Sequence, residues 1–338
     1  MAAAGRLRLS VLLPCRDAAA TLDAALESLV HQTFSAFEVV AVDDGSGDGT
    51  PACLDAWAAR DGRIRVVRTA GGGIVAALTR AAALARGTLL ARMDADDVAH
   101  PERFAAQIAL LDANPRVAAC GTGVRYFPRA AVRDGARRYE RWINGVVTPE
   151  EIDRDLFVEC PLPHPTVVMR RAAFEVAGGY RDTPWPEDYD LVFRLRGAGF
   201  ALAKVPEILL DWRESPGRLS RVDPRYAPEA FQRCKAHYLG PLRAGARPIV
   251  VWGAGPVGKS FARALIEAGH TVAAFVELNP RKLGQTVHGA PVVPPAAVAD
   301  YRGCYVVAAV GQPGARDEIR AGLASAGLRE PDDFCAVA

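Results

Sequence analysis

Aspartates follow two apolar segments that have the composition of buried β-strands. Asp43 and Asp44 come after the segment VVAV, and Asp94 and Asp96 come after the segment LLARM. In open α/β sheets, ligands collect at the carboxyl ends of the strands. A carboxylate at such a position can accept hydrogen bonds from a base N–H or from ribose hydroxyls. The alternative for Asp43 and Asp44 is a turn that caps the following helix.

Asp94 and Asp96 are two residues apart, so an ordinary strand would place both side chains on one face. Asp97 adds a third carboxylate nearby. Three neighbouring carboxylates repel one another unless protons or a cation relieve the charge, and oxygen ligands favour hard cations such as Mg²⁺ or Mn²⁺. The alternative is a solvated acidic loop that caps the helix predicted to begin at Pro101.

A third acidic group stands where an apolar helical pattern begins. Glu187 and Asp188 follow Pro186, and Leu191, Val192 and Leu195 supply the apolar side of the helix. A helix N-terminus favours an ionised carboxylate, and a general base must be ionised to accept a proton. The alternative is an acidic first helical turn without a catalytic role.

Strands and helices alternate along the first two thirds of the chain, which predicts an α/β sheet. Thr21 and Thr50 precede helical patterns and are predicted to cap them. The first two acidic groups therefore follow strands that can position them, and the third begins a helix. The predicted strands are Leu7 to Pro14, Phe37 to Asp43, Ile64 to Arg68, Leu89 to Met93 and Val117 to Gly121, and the predicted helices include Val75 to Ala85 and Pro101 to Leu111.

A glycine-rich turn marks a second, C-terminal unit. The pattern weakens into Ser, Pro, Gly and Arg over 215–247, and a new strand then leads into Gly253, Gly255 and Gly258. Glu277 ends the next strand, where an acidic residue can bind ribose hydroxyls. The segment resembles the first part of a Rossmann-type unit and could bind NAD, another nucleotide or a nucleotide sugar. The alternative is a docking, oligomerising or ligand-sensing module whose glycines serve packing.

Composition and charge exclude several classes of protein. The 41 Lys and Arg nearly balance the 39 Asp and Glu, and a net charge of +2 gives no reason to predict nucleic acid binding. The seven cysteines form no CxxC pair, which disfavours a disulfide framework or a structural zinc site and fits a reducing cytoplasm. No apolar run reaches the length of a membrane-spanning helix, although peripheral membrane contact stays open.

The motifs, taken in order, resemble glycosyltransferase family 2, a large group of inverting enzymes with the GT-A fold. The resemblance extends from about residue 8 to residue 221. It implies a GT-A nucleotide-diphospho-sugar transferase fold for the first domain. The change of pattern after residue 215 places the domain boundary near 244, so we predict the GT-A domain in residues 1–243 and a small Rossmann-like α/β domain in residues 244–338. The segments that carry it are LLPCRDAAATL, HQTFSAFEVVAVDDGSGDGT, GGGIVAALTRAAALARG, ARMDADD, HPTVVMRR, GGYRD and PEDYDLVFRL.

The resemblance also implies a role for individual residues. Asp44 would contact the nucleotide base, and Asp96 of the DxD pair would be the more direct ligand of Mn or Mg. Asp94 would lie near the donor ribose, the sugar or the metal, and Asp188 would be the general base. The implied site comprises Pro14, Asp17, Asp44 and Asp94 for the nucleotide, Asp94 and Asp96 for the metal, Asp188 for catalysis, and His164, Thr166, Gly179, Tyr180 and Glu187 on the acceptor side.

The function implied by the resemblance is inverting transfer of a sugar from a nucleotide-diphosphate donor, by default a UDP-sugar, to an acceptor hydroxyl. Two alternatives stay open. One is an NAD(P)-dependent oxidoreductase acting through the C-terminal domain, and the other is a non-catalytic scaffold that binds sugar nucleotides. Oligomerisation through the C-terminal domain is a further possibility.

The sequence departs from the family pattern after the strand that ends in LLDWRE. Ser215 stands where many relatives carry a histidine that can assist the metal or diphosphate, and serine is a poor metal ligand in comparison. Gly71 and Thr79 replace frequent asparagines, which can alter donor preference. Arg213, Arg218 and Arg221 could instead contact the diphosphate. The alternative is a solvated basic loop.

Overall fold

The computed structural model describes residues 7–338, and strands alternate with helices through most of them. The elements predicted from the sequence are present, and most differ from the prediction by one or two residues at their ends. The strand predicted for Val117 to Gly121 continues to Phe127. The strands are β1 (Leu9–Cys15), β2 (Phe37–Asp44), β3 (Ile64–Thr69), β4 (Leu89–Arg92), β5 (Val98–Ala99), β6 (Val117–Phe127), β7 (Val168–Arg170), β8 (Ala201–Arg213), β9 (Ile249–Trp252), β10 (Val272–Val276), β11 (Thr286–Val287), β12 (Ala290–Val293), β13 (Tyr305–Ala308) and β14 (Phe334–Ala336).

The helices lie between these strands and are short, most having two or three turns. Short 3₁₀ segments connect several of them. The helices are α1 (Leu22–Val30), α2 (Thr50–Arg60), α3 (Ile74–Leu84), α4 (Arg103–Ala113), α5 (Asp134–Gly145), α6 (Pro149–Asp155), α7 (Arg171–Val176), α8 (Glu187–Gly197), α9 (Leu219–Val222), α10 (Pro228–Leu239), α11 (Pro256–Glu267) and α12 (Ala315–Ser325).

The first sheet has eight strands in the order β3-β2-β1-β4-β7-β6-β8-β5. The strands β3, β2, β1 and β4 run parallel, whereas β7 is antiparallel to both β4 and β6. Because β2, β1 and β4 are parallel neighbours, their carboxyl ends meet at one edge of the sheet. The loops that follow Cys15, Asp44 and Arg92 therefore begin side by side.

The strands β1 and β2 are almost continuous apolar segments because they are buried. Every residue of β1 and β2 is buried, as expected for parallel strands that are covered on both faces. Helix α1 buries Leu22, Ala25, Leu26 and Leu29, the spacing that places apolar side chains on one helical face. The core of the first sheet is thus fixed by the apolar periodicity of the sequence.

The second sheet has six strands in the order β11-β12-β10-β9-β13-β14. The five strands from β12 to β14 are parallel, and the short β11 pairs antiparallel to β12 at the edge. Strand β9 lies in the centre and leads into the glycine turn and α11. This is the small α/β sheet that the C-terminal segment predicts.

The chain divides into two compact units, each built from several segments. Within the described residues, the first unit contains the chain up to Pro149. The domain limits 1–243 and 244–338 stay a prediction, because compactness alone does not define a functional domain. The other segments are Pro161–Asp182 and Arg194–Arg218 in the first unit, and Glu150–Cys160, Thr183–Phe193 and Leu219–Ala338 in the second.

Thr21 stands at the N-cap position of α1 as predicted but makes no side-chain capping hydrogen bond, and the prediction that Thr50 caps α2 is wrong. Thr21 precedes α1 but its hydroxyl donates to the carbonyl oxygens of Ala18 and Ala95, at 3.3 and 3.0 Å. Thr50 lies inside α2, and its hydroxyl accepts a hydrogen bond from the backbone N–H of Ala18 at 2.7 Å. Both hydroxyls instead fasten the loop after β1 to neighbouring loops, so tertiary contacts override the local capping preference.

All seven cysteines are free. Five are buried, whereas Cys53 in the first unit and Cys304 in the second are partly exposed. In the described part of the chain, no helix is both long and apolar enough to cross a membrane.

Candidate active site

Asp44 ends β2 and is held by the loop that precedes α3. Its Oδ1 accepts hydrogen bonds from the Thr69 hydroxyl and the Gly72 N–H at 2.7 and 2.8 Å, and its Oδ2 accepts from the Gly73 N–H at 2.8 Å. Burial raises the pKa of Asp44, but these hydrogen bonds outweigh it and the net pKa is lowered. The carboxylate is therefore ionised and fixed in orientation.

The loop after β1 lies beside Asp44. Pro14 is buried within β1, and Arg16 approaches the Asp44 Oδ2 at 3.9 Å. Asp17 has a positive φ of 49°, and its Oδ1 accepts a hydrogen bond from the Gly47 N–H at 2.8 Å. The structure thus brings together Pro14, Asp17 and Asp44, three of the residues assigned to the nucleotide.

The acidic loop after β4 gathers three carboxylates. One oxygen each from Asp94, Asp96 and Asp97 lies within 4.8 Å of the others. Asp94 and Asp96 are partly exposed, whereas Asp97 is 1% exposed. The three carboxylates that neighbour one another in the sequence are therefore also close in space, with Asp97 as the buried member.

Arginines hold this acidic loop in place. The Arg92 guanidinium pairs with the Asp94 Oδ1 at 2.5 Å. The Arg213 backbone N–H donates to the Asp97 Oδ1 and its Nε donates to the Asp96 carbonyl, both at 2.7 Å. Buried Arg103 donates to the Arg92 carbonyl at 2.6 Å. The loop conformation is thus fixed from both sides without using the Asp96 carboxylate.

Charge crowding in the loop favours a cation. Burial, followed by the neighbouring Asp94 charge, raises the pKa of Asp96 to about 6. Burial and the charges of Asp94 and Asp96 raise the pKa of Asp97 well above its usual range. The Asp97 Oδ2 is buried and has no hydrogen-bond partner within residues 7–338. Crowded carboxylate oxygens with one unsatisfied buried atom fit a hard divalent cation.

Glu187 and Asp188 begin α8, as predicted. Both Glu187 carboxylate oxygens accept from the Tyr226 hydroxyl, at 2.9 and 2.7 Å. Asp188 is partly exposed, and its Oδ1 accepts from the Tyr189 N–H at 2.8 Å. Burial, then the Glu187 charge and the Glu159 charge, raises the pKa of Asp188 to about 8. The expected stabilisation of the ionised form by the helix N-terminus is therefore outweighed.

Aromatic packing positions Asp188. Tyr189 is fully buried, and its hydroxyl donates to the Leu156 carbonyl at 2.6 Å. The Phe193 ring, one helical turn later, stacks on the rings of Tyr189 and Tyr238 with centroids 4.4 and 4.8 Å away. Because this face of α8 is anchored, the Asp188 side chain has a defined direction.

The residues assigned to the acceptor side have mixed environments. The His164 Nε2 and the Tyr180 hydroxyl are 2.9 Å apart, and burial, with the Arg92 charge, lowers the pKa of His164 well below its usual range. Gly179 has a φ of 65° and turns the chain towards Tyr180. Thr166 is fully buried, and its hydroxyl donates to the Pro163 carbonyl at 2.7 Å. A structural role is therefore sufficient for Thr166.

The C-terminal glycine turn is tightly packed. A Cβ on Gly258 would lie 1.8 Å from the Gly253 carbonyl oxygen, and Gly255 precedes α11. Glu277 pairs with the Lys282 ammonium at 2.8 Å and also accepts two backbone N–H groups at 3.1 Å. The carboxylate predicted to meet ribose is thus already engaged within the protein.

Sequence reasoning missed two supporting residues. Thr69 and Tyr226 bind the carboxylates of Asp44 and Glu187, but each lies far along the chain from its partner. A polar residue at the end of a predicted strand is a signal for Thr69. Nothing in the local sequence around Tyr226 distinguishes it from an ordinary packing tyrosine.

The family model described as Glycosyl transferase family 2 matches residues 10–178. A putative glycosyltransferase, EpsE of Bacillus subtilis, is 28% identical over 238 residues, which cover 68% of this chain and 82% of EpsE. The amylovoran biosynthesis glycosyltransferase AmsE of Erwinia amylovora is 31% identical over 193 residues, which cover 57% of this chain and 70% of AmsE.

Two solved structures share the fold. Staphylococcus aureus TarS, residues 1–349 with UDP-GlcNAc, has a TM-score of 0.52 at 17% identity and covers 77% of this chain and 71% of its own. The mannosyltransferase PcManGT of Pyrobaculum calidifontis, with GDP-Man and Mn²⁺, has a TM-score of 0.52 at 20% identity. The match covers 69% of this chain and 62% of the PcManGT chain. The predicted GT-A fold is confirmed, and the family match makes this chain a glycosyltransferase that belongs to glycosyl transferase family 2.

Proposed function

We propose that this glycosyltransferase moves a sugar from a nucleoside-diphosphate donor to an acceptor hydroxyl with inversion at the anomeric carbon. The observation that carries the proposal is the group of Asp94, Asp96 and Asp97, which lies at the same sheet edge as Asp44. The donors bound to TarS and PcManGT, UDP-GlcNAc and GDP-Man, support the donor class. UDP-sugar is the default donor, as the family resemblance implies.

Asp94 and Asp96 would hold a divalent cation, Mn²⁺ or Mg²⁺, with Asp97 behind them. The Mn²⁺ in PcManGT supports this class of metal. Such a cation supplies Lewis-acid stabilisation of the negative charge on a leaving diphosphate. The chain's own contribution is a rigid acidic loop, fixed by Arg92 and Arg213, whose carboxylates are crowded before any ligand binds.

Asp44 would accept a hydrogen bond from the nucleotide base, and Pro14 and Asp17 would line the same pocket. The carboxylate of Asp44 is ionised and oriented by Thr69, Gly72 and Gly73, so it needs no reorganisation when a base N–H arrives. A pre-oriented acceptor costs less ordering on binding than a mobile side chain.

Asp188 would take the proton of the acceptor hydroxyl. As the acceptor oxygen forms its bond to the anomeric carbon, the bond to the diphosphate oxygen breaks on the opposite face. The electron pair of that bond leaves with the diphosphate, and the proton ends on Asp188. One displacement inverts the configuration. The raised pKa of Asp188, about 8, makes its ionised form a stronger base than an ordinary aspartate.

His164 and Tyr180 would line the acceptor side, and Glu187 would support Asp188. His164 is neutral at pH 7, because burial lowers its pKa, so it can both donate and accept hydrogen bonds. A neutral imidazole paired with a phenol suits a polyhydroxylated acceptor. The Glu187 charge raises the pKa of Asp188 and thereby its basicity.

A thermal-shift screen of UDP-, dTDP- and GDP-sugars with Mn²⁺ or Mg²⁺ tests the donor class. A ligand that binds the folded state alone raises the melting temperature. We expect a nucleotide sugar to raise it more with metal than without, and a direct product assay with the same donor to show transfer. No metal-dependent shift with any donor, together with no donor turnover, would refute the proposal and favour a non-catalytic scaffold.

For the C-terminal segment 244–338 we propose a docking or packing role in place of NAD(P)-dependent chemistry. The Glu277 carboxylate, which pairs with Lys282 and accepts two backbone N–H groups, supports this role. We expect NAD and NADP to leave the melting temperature unchanged. A shift with NAD that Glu277→Gln abolishes would contradict it and favour a nucleotide site.

A further inference from the structure

Arg218 lies on an aromatic platform at the end of the segment that follows β8. Its guanidinium carbon is 4.5 Å from the centroid of the Trp212 ring and 5.5 Å from that of Tyr126. The two rings stack with centroids 5.0 Å apart and planes inclined by 8°. A guanidinium stacked on a large aromatic surface loses little further freedom when it binds a ligand.

Arg218 belongs to a segment that is fastened to the acidic loop. Its side chain is only 14% exposed and pairs with Glu214 at 3.4 Å. The Trp212 ring that carries Arg218 directly precedes Arg213. The N–H and Nε groups of Arg213 donate to the Asp97 carboxylate and the Asp96 carbonyl at 2.7 Å, so this segment is fastened to the acidic loop. Arg218 is therefore not part of a solvated basic loop, in contrast to the exposed Arg221.

The position at which many relatives carry a histidine is occupied by Ser215 in this chain. Ser215 is partly exposed and offers a hydroxyl, which carries no charge and ligates metals poorly. A diphosphate held near Asp94 and Asp96 carries more negative charge than one divalent cation neutralises. A second positive group beside the acidic loop would offset the remainder.

We propose that Arg218 binds the donor diphosphate and stabilises the negative charge on the leaving oxygen, an inference that rests on the proposed function. The guanidinium donates hydrogen bonds to phosphate oxygens and keeps its own proton throughout. The electron pair of the broken bond to the anomeric carbon stays on the diphosphate oxygen. Arg218 therefore acts electrostatically and transfers nothing.

The test compares nucleoside diphosphates with monophosphates in isothermal titration with MnCl₂, using UDP and UMP and, in parallel, GDP and GMP. Hydrogen bonds to charged groups contribute about 1.5–3 kcal/mol, so Arg218→Gln should weaken diphosphate binding about 10- to 100-fold. Monophosphate affinity should change less than about twofold, because the proposed contact is to the terminal phosphate. Arg218→Lys, which retains the charge, should restore part of the diphosphate affinity.

Arg60→Gln is the matched control, because Arg60 also lies over an indole, that of Trp57, at 5.6 Å. It should leave both affinities unchanged. Equal losses for UDP and UMP in both Arg218 variants, with lowered melting temperatures, would show a structural role and overturn the inference. If the wild type binds UDP and the Arg218 variants bind it with the same affinity, the inference on Arg218 is overturned and the proposed function is not. Failure of the wild type to bind any nucleotide with metal would overturn the proposed function as well.

Discussion

Two groups of carboxylates, one in each compact unit, are crowded in different ways. In the first, the arginines at positions 213 and 218 oppose the pKa rise that burial and Asp94 cause at Asp96. In the second, Glu187 and Glu159 add to the rise that burial causes at Asp188, and only backbone N–H groups are among its main opposing influences. The same side-chain type thus meets cationic side chains in one unit and mainly further carboxylates in the other.

This difference in neighbouring charges suits the two carboxylate groups to two chemical tasks, metal binding and proton transfer. A carboxylate that titrates near pH 6 among arginines remains largely ionised at neutral pH and suits a cation ligand. A carboxylate that titrates near pH 8 exchanges its proton close to the working pH and suits proton transfer. Position in the sequence alone does not distinguish the two tasks. The first group follows a predicted strand and the second begins a predicted helix, and either position can serve a metal ligand or a base.

The largest expected effect is at the first group. Asp96→Asn should lower the transfer rate by about 1,000-fold or more, because loss of metal stabilisation is worth several kcal/mol and each 1.4 kcal/mol is tenfold. The rise in melting temperature caused by Mn²⁺ should also disappear. Asp55→Asn is the control, since Asp55 is a surface partner of Arg68. A full Mn²⁺ shift in Asp96→Asn would contradict the assignment of this group.

The second largest effect is at the second group. Asp188→Asn should lower turnover by about 100- to 10,000-fold, the usual contribution of a general base. The Mn²⁺ shift in melting temperature should be retained, because the metal belongs to the other group. Near-normal turnover in a direct product assay would remove Asp188 from the role of base, and loss of the Mn²⁺ shift would break the separation of tasks.

The pH dependence sharpens the comparison further. Since a base works only when deprotonated, kcat/KM should rise with pH through a midpoint near the Asp188 pKa, about 8. Glu187→Gln removes a negative neighbour, so the midpoint should move to lower pH. Glu159→Gln should move it in the same direction by less. A midpoint that neither variant moves would show that another group controls the rate.

Asp188 should also affect stability in a pH-dependent way. Its folded pKa lies above the unfolded value of 3.8, so its ionisation lowers the stability progressively between about pH 4 and pH 8, and the loss is constant above that. Asp188→Asn should therefore raise the melting temperature relative to wild type more at pH 9 than at pH 5. The same gain at both pH values would show that the effect is not due to ionisation.

The smallest expected effect concerns the support of Glu187. Tyr226→Phe removes the hydroxyl that donates to both Glu187 oxygens and should lower the free energy of unfolding by about 1–3 kcal/mol. Urea denaturation at pH 7 measures it. Tyr301→Phe, at a partly exposed tyrosine, is the control. Equal effects of the two substitutions would show that the Tyr226 hydrogen bonds contribute nothing particular to this unit.

Much of the fold can be predicted from the sequence, because burial imposes its periodicity on the residues themselves. The strands that end near Asp44 and Arg92 are apolar runs because both faces of the sheet are covered. Neither Thr21, at the N-cap position of α1, nor Thr50 caps a helix through its hydroxyl, because both hydroxyls have partners in loops distant in sequence. Local preference is a weak guide where tertiary hydrogen bonds compete for the same atom.

The electrostatic character of the site is less predictable than its residues. Asp96 and Asp188 can be selected from motif and position, but the pKa of each depends on burial and on neighbours such as Arg213 and Glu159. These neighbours lie far away along the chain, and only folding brings them close. The sequence therefore predicts which carboxylates belong to the site, but it does not predict the pKa on which the chemical role of each one depends.

The distribution of thiols gives the protein its own attachment points for dyes. Five cysteines are buried, and the two accessible ones, Cys53 and Cys304, belong to different units. A maleimide fluorophore should therefore react first at these two positions, without any engineered cysteine. Energy transfer between a donor and an acceptor dye attached there would report, in real time, whether nucleotide addition changes the separation of the two halves of the enzyme.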